Sequence, residues 1–306
     1  MLFRSYYYQT GDPQAHDAVL SLANWVVNMD DGRLNILGLI DDGPTGLASA
    51  TAQASYHGPG RGGGLSINAL LDGWFVSGQR TYLDKAEELI RRCVHPAADI
   101  ASHDLLDVER RWSYTVFFSV LARYLRLKAD ADEIDTTYGY AQASLVNYAA
   151  WMLQNERPYF DHPEDLEYPT EAWAAQEMRK ANVLRLAAAH ADEPLRGRLL
   201  ERGRELADRA WNDLARFETR GAARAVAILL VEGTVDEYFR TSAPPPAPRF
   251  APDADFGSPP SFVPQKQRVR AQLKSARGIA RALLCLSRPR TWQRLLNLRT
   301  PPRGVS

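Results

Sequence analysis

The sequence predicts an all-α protein of antiparallel helical hairpins arranged in a ring. Apolar residues recur at helical spacing through most of residues 1–242, and no segment sustains the period-two alternation of a strand. A unit near the start also repeats. "YYYQTGDPQAHDAVLSLANWVV" from Tyr6 aligns with "GWFVSGQRTYLDKAEELIRRCV" from Gly73 at an offset of 67 residues. Both read aromatic cluster, small residue, glycine, polar turn and amphipathic helix, with Asp17 on Asp84 and Leu22 on Leu89. Self-similarity on this scale marks stacked helical hairpins. Finally, the connections alternate between short and long.

The elements follow in order. The two repeat units place helices on either side of Thr10-Gly11 and of Ser77-Gly78. Residues 109–127 read as one helix that is apolar on most sides, and "KADADEID" turns into a helix over 135–154. Residues 171–190 turn through "ADEP" into 195–217, and a shorter apolar helix covers 221–231. Connections after 76, 127 and 190 are about four to eight residues, whereas those before 65, 109 and 171 are roughly 14 to 24. In a ring of hairpins every second connection emerges on the same side, so the three long crossings are expected to share one end. Long ordered loops are where function concentrates.

The first of these crossings ends in "YHGPGRGGG", residues 56–64. Gly60 and the glycines at 62–64 are expected to adopt positive φ and let the backbone approach a ligand beside His57 and Arg61. A phosphate cradle is the weakest of the readings, because no Gly-Lys-Ser/Thr ending is present and no strand precedes.

Three regions result: a helical domain over 1–242, a Pro-rich extended linker or strap over 243–264, and a basic amphipathic tail over 265–306. Hydrophobic residues are 45% and charged residues 24%, the proportions of a globular protein. The net charge of zero conceals an acidic body and a basic tail. Residues 1–264 carry 26 Lys+Arg against 37 Asp+Glu, whereas 265–306 carry 11 cations and no acid. In the tail, Val269, Leu273, Ile279, Leu283 and Leu284 alternate with cations, a pattern suited to an anionic membrane or to the acidic body itself.

Cys93 and Cys285 form no paired motif, so neither a disulfide framework nor a zinc site is implied. No run is apolar enough to span a bilayer, and the start resembles neither a signal peptide nor the beginning of a domain. It reads as the last turns of a helix, so the chain is expected to continue a longer protein, with the cytoplasm as default location.

Candidate chemistry lies on or beside the long crossings. The first group holds Asp42, His57 and Arg61, with Asn68 one turn into the next helix and on the same face as Asp72. The second holds Glu109, Arg110, Trp112 and Tyr114, in which Arg110 and Tyr114 are four apart. The third holds His162, Tyr168, Glu171, Trp173 and Gln176. Trp173 and Gln176 are three apart and predict a polar–aromatic strip facing a cleft. Glu171 also suits the first turn of its helix, where the dipole favours a carboxylate. His57, His103 and His162 lack the spacing of a metal site, no Gly-x-Ser-x-Gly nucleophile is present, and no cofactor or nucleic-acid partner is expected.

The stretch "GRGGGLSINALLDGWFVSGQRTYLDKAEELI" resembles the hairpin unit of α/α-toroid enzymes that act on carbohydrate, and "YYYQTGDPQAHDAV" is similar to the same unit. The resemblance is greatest to the C-terminal toroid domain of the exo-rhamnogalacturonan-lyase-like proteins. It implies an α/α toroid, here with part of the ring and the preceding β domains missing, and an acidic polysaccharide or oligosaccharide as partner. The implied reaction is β-elimination. His57 or Tyr114 would be the base or acid; Arg61, Arg110 and Asn68 would hold the uronate carboxylate; Trp112 and Trp173 would stack on sugar rings. A glycoside hydrolase on the same fold would draw its two carboxylates from Asp42, Glu109 and Glu171. The other expectation is a non-catalytic module that binds glycan or protein through the same rim.

Overall fold

The computed structural model describes residues 2–28, 58–219, 222–242, 245–251 and 254–258, with positions 271, 274, 275 and 280. Among them all regular structure is helical. The α-helices are α1 (Leu2–Thr10), α2 (Pro13–Asn28), α3 (Arg61–Ser77), α4 (Arg80–Cys93), the one-turn α5 (Val108–Arg111), α6 (Tyr114–Asp130), α7 (Thr136–Asn155), α8 (Glu171–Ala188), α9 (Leu195–Arg216) and α10 (Ala223–Thr241). Asp42 and His57, most of the first crossing and nearly all of the basic tail lie outside the described residues.

The repeat is reproduced bond for bond. The Gly11 N–H donates to Tyr7 O and the Gly78 N–H to Trp74 O, each at 2.7 Å. The Thr10 hydroxyl donates to Tyr6 O at 2.7 Å and the Ser77 hydroxyl to Gly73 O at 2.6 Å. Both glycines take positive φ, 70° and 67°, the left-handed residue that ends a helix. A short hydroxyl side chain followed by glycine therefore sets the hairpin turn twice.

The helices form two layers. Helices α3, α6, α8 and α10 each pack on the next, and α2, α4, α7 and α9 back them. Two of the long crossings, 94–113 and 156–170, meet at one end. The Glu167 N–H donates to Glu109 Oε1 at 2.8 Å, joining them directly. The Arg61 N–H donates to Ser113 Oγ at 3.3 Å, and Thr219 Oγ1 donates to Glu171 Oε1 at 3.0 Å. The starts of α3, α6 and α8 thus lie at the crossing end. The Arg224 guanidinium, over the Trp112 ring at 5.4 Å, adds the start of α10. The short turns gather elsewhere: Arg80 Nη1, just after the α3–α4 turn, is 2.5 Å from Glu133 Oε2 in the α6–α7 turn.

Three expectations are corrected. Gly62, Gly63 and Gly64 form the first turn of α3 rather than a ligand-binding loop, and in this stretch only Gly58 has positive φ. At Gly64 the role is close packing: a Cβ there would lie 3.0 Å from Phe117 Cα and 3.3 Å from Phe117 N, both backbone atoms of α6. Gly64→Ala gains up to about 1 kcal/mol in helix propensity, but forces α3 off α6 at a cost of about 1–3 kcal/mol. A net loss of about 1–2 kcal/mol in urea unfolding is expected, and an unchanged midpoint would contradict this packing.

Residues 109–127 do not form one helix. The chain breaks at Trp112–Ser113, so Arg110 is exposed while Tyr114 is buried, and the two do not share a face. The Trp173–Gln176 pair is buried, not a strip along an open cleft.

Helix α8 is buried on almost every side. It is enclosed by α6, α7, α9 and α10, which explains why its amphipathic pattern is weak. Nevertheless it carries Glu177, Lys180, Asn182 and Arg185, all under 4% exposed, and partners must come from neighbouring elements. Outside the helices, residues 245–251 dock on α7 and the α8–α9 turn. Pro248 O accepts from Tyr138 and Gln142, each at 2.9 Å, and Phe250 fills the space above Gly139. The stretch is held through both kinds of backbone group, because the Ala247 N–H donates to Ala189 O at 2.8 Å and the Phe250 N–H to Gln142 Oε1 at 3.2 Å.

Candidate active site at the crossing end

A cavity of about 440 Å3 opens where the two described crossings meet. Its floor comes from the end of α7, the start of α6 and the middle of α8: Glu156, Tyr114 and Lys180. Its walls include Trp112 and Tyr159, and its rim carries Arg157, His162 and Asp165.

The floor is a buried ionic network. Lys180 Nζ is 2.8 Å from Glu156 Oε2 and 3.7 Å from Glu177 Oε1, and donates to Arg157 O at 2.7 Å. The same ammonium sits 3.4 Å from the centre of the Tyr159 ring. The Tyr114 hydroxyl donates to Glu156 Oε1, and the Tyr159 N–H donates to Glu177 Oε2 at 2.8 Å. Glu177 Oε1 has no hydrogen-bond donor. Two carboxylates therefore converge on one cation, one bonded to Tyr114 at the start of α6 and the other to the Tyr159 backbone in the 156–170 crossing.

Burial decides the titration of these groups. It pushes the Glu177 carboxyl up to about 7, against the pull of Lys180. It also works against the Lys180 charge, but Glu177, the Tyr159 phenol and Glu156 outweigh it and raise the ammonium above its ordinary value. Tyr114 is held well above a normal phenol, first by burial and then by Glu156. A phenol so placed stays protonated and donates; it does not serve as a base at neutral pH.

The rim differs. Arg157 is exposed and makes no ion pair among the described residues; its Nη1 is 3.2 Å from His162 Nε2. His162 Nδ1 is 3.1 Å from Glu164 Oε1. The geometry suits the tautomer in which Nδ1–H donates to the carboxylate and Nε2 keeps its lone pair toward Arg157 and the cavity. The bond from His162, after the backbone N–H of Glu164 itself, holds the Glu164 carboxyl below its usual value.

Of the expected residues, Trp112, Tyr114 and His162 come together in this cavity. Glu109 is spent on linking the crossings, and Arg110 is 3.5 Å from Asp107. Arg61 begins α3 and uses its backbone on Ser113. Asn68 and Asp72 do share a face, but both accept from Arg123. Tyr168 is 69% exposed, and its carbonyl accepts from Trp173 Nε1 at 3.1 Å. Trp173 lies beneath, against the Tyr159 ring at 5.1 Å. Gln176 Oε1 accepts from Arg179 at 2.6 Å, and Glu171 accepts from Thr219.

Glu156, Arg157, Glu177 and Lys180 were not among the expected residues. For Glu177 and Lys180 the signal was present as charges on a helix otherwise rich in alanine, "EAWAAQEMRKANVLRLAA", whereas Glu156 and Arg157, just past the end of α7, carried no such signal. A charge on a buried helix needs a partner and marks a site by that need. Among the described residues no group of three or more His, Cys, Asp or Glu is placed to hold a metal ion. No helix among them is long and apolar enough to cross a membrane.

Comparison with protein-family models, curated proteins and solved structures finds no match to this chain.

Proposed function

We propose that the chain is a carbohydrate-active helical module, an open part of an α/α toroid, that acts on a uronate-containing glycan by β-elimination in the cavity at the crossing end. One observation carries this reading: an unpaired guanidinium, an imidazole oriented by a carboxylate, and an indole line a single cavity of sugar-ring size. Arg157 takes the uronate carboxylate and stabilises the negative charge that grows on it. His162 Nε2 removes the proton α to that carboxylate. The C–H electron pair becomes the new C=C bond, the bond to the leaving glycosidic oxygen breaks, and the imidazolium returns its proton to that oxygen. Trp112 supplies the apolar face on which the ring packs. The buried network below holds the walls in place, because Glu156 ties α7 to Tyr114 of α6 and Lys180 of α8.

The acidic body repels an anionic polymer elsewhere and by that favours a non-catalytic module, so this reading requires Arg157 to hold the uronate. The test is incubation with polymers containing uronate and with neutral ones, following the ultraviolet absorbance of the conjugated product. Turnover is expected with the uronate polymers only. Arg157→Ala is expected to lower kcat by roughly 100- to 1000-fold, and His162→Ala to abolish the absorbance, with helicity unchanged. New reducing ends without that absorbance would identify hydrolysis instead. Binding without turnover would identify the recognition module.

A further inference from the structure

The stretch 245–251 lies on the start of α7 and the α8–α9 turn, and none of its own residues is buried. None of the groups that hold it lines the cavity at the crossing end. The Ala247 N–H donates to Ala189 O at 2.8 Å, and Arg249 donates to Ala191 O at 2.6 Å and pairs with Asp192. Tyr138 and Gln142 hold Pro248 O, and Phe250 sits on Gly139, where any Cβ would strike its ring. A segment held by a few bonds at the surface opens without unfolding the helices beneath.

Gln142 is the centre of this attachment and is 8% exposed. The Phe250 N–H needs an acceptor, so the amide oxygen of Gln142 faces it, at 3.2 Å. The Gln142 nitrogen then has two protons to give. One goes to Pro248 O at 2.9 Å and the other to His190 Nδ1 at 3.2 Å. That second bond needs a lone pair on Nδ1, so His190 is neutral and carries its proton on Nε2. A charged imidazole sets N–H against N–H. Turning the amide over meets the new proton, but puts the Gln142 oxygen against Pro248 O and its nitrogen against the Phe250 N–H. Either way the attachment is weakened.

The groups around His190 offer an imidazolium no relief. From α7 come Gln142 and the Tyr138 ring, 6.4 Å away centre to centre. The stretch supplies Arg249, whose charge opposes a second cation, and the α8–α9 turn supplies Asp192, which Arg249 engages. From α9, Arg196 donates to Ala188 O at 3.2 Å. Burial, and then Arg249, lowers the imidazole to about 4.

We propose that residues 245–251 are a pH-sensitive latch, fastened on α7 while His190 is neutral and released when it becomes charged. The closed latch holds His190 near 4 and the open one returns it toward 6.5, so closure is favoured above 6.5 and is lost as pH falls toward 4. His95, beside Gly257 and itself lowered by burial, acts in the same sense farther along the chain. The basic segment over 265–306 follows the latch in the sequence, so release lengthens its tether to the helices.

Amide hydrogen exchange of the whole chain is the test, with rates at the Ala247 and Phe250 N–H groups corrected for the intrinsic effect of pH and compared with those in the middle of α7. Between pH 7 and 4 protection of the two amides is expected to fall roughly 100-fold, by at most about tenfold per pH unit, while α7 stays protected. His190→Gln keeps a side-chain acceptor for Gln142 and cannot become charged, so protection at Phe250 is expected to change by less than about threefold over the same range. Gln142→Met removes both bonds to the stretch and is expected to leave the Phe250 N–H unprotected already at pH 7. The proposal is overturned by wild-type protection that holds to pH 4, by loss of these two amides and of α7 together, by a wild-type pH profile in a folded His190→Gln, or by full Phe250 protection in Gln142→Met.

Discussion

Lys180→Met lowers stability at pH 8 by about 3–5 kcal/mol, the expected cost of removing one partner from a buried ionic cluster. The lysine is 1% exposed and is the cation between Glu156 and Glu177. Methionine matches its length and apolar stem but leaves two buried carboxylates facing each other, and leaves Arg157 O without its donor. The remedy available to the protein is protonation, because a neutral carboxyl tolerates burial. The loss is therefore expected to shrink as pH falls toward 5. Urea unfolding of wild type and variant at both pH values measures it. A loss below about 1 kcal/mol at pH 8 would mean that the cluster is hydrated, not buried.

The second large effect is a change in pH dependence in Glu177→Gln. Burial raises the folded-state Glu177 carboxyl from 4.5 to about 7. Between those values the folded protein keeps a proton that the unfolded chain has released. The stabilisation from this group is complete below 4.5 and is lost as pH rises through 7, on the order of 3 kcal/mol in all. His190 acts in the opposite sense. Burial, with Arg249 beside it, lowers its imidazole to about 4, so its contribution is present above the ordinary histidine value and is lost as pH falls. In wild type the two slopes oppose each other across this window. In Glu177→Gln that opposing slope is gone, while His190 keeps its own and His95 and His103, also lowered by burial, act in the same sense, so the variant's stability is expected to rise with pH from about 4 to 6.5. The difference between the two curves isolates Glu177. Parallel curves would place the Glu177 titration in the ordinary carboxylate range.

Much of the fold was legible because hairpin helices are local. Thr10-Gly11 and Ser77-Gly78 announced two identical turns, since a hydroxyl that bonds back one turn and a residue free to take positive φ end a helix wherever they occur. The alternation of short and long connections placed the two described crossings at one end. The residues inside the crossings were harder to read. Glu109 and Glu171 looked like free carboxylates, but each is consumed by a group 58 or 48 positions away. The glycines at 62–64 looked like a loop, because what two of them make room for, Cys93 of α4 at Gly63 and Phe117 of α6 at Gly64, belongs to other elements.

The sequence by itself determined the helices, the repeat and the acidic body with its basic tail, because periodicity, turn chemistry and charge are properties of neighbours along the chain. Tertiary structure alone decided that α8 would be enclosed. That enclosure raised Glu177, kept Lys180 charged and joined them to Glu156 and Tyr114 below Trp112 and His162. Desolvation depends on what surrounds a group on every side, and those surroundings come from helices far apart in the sequence.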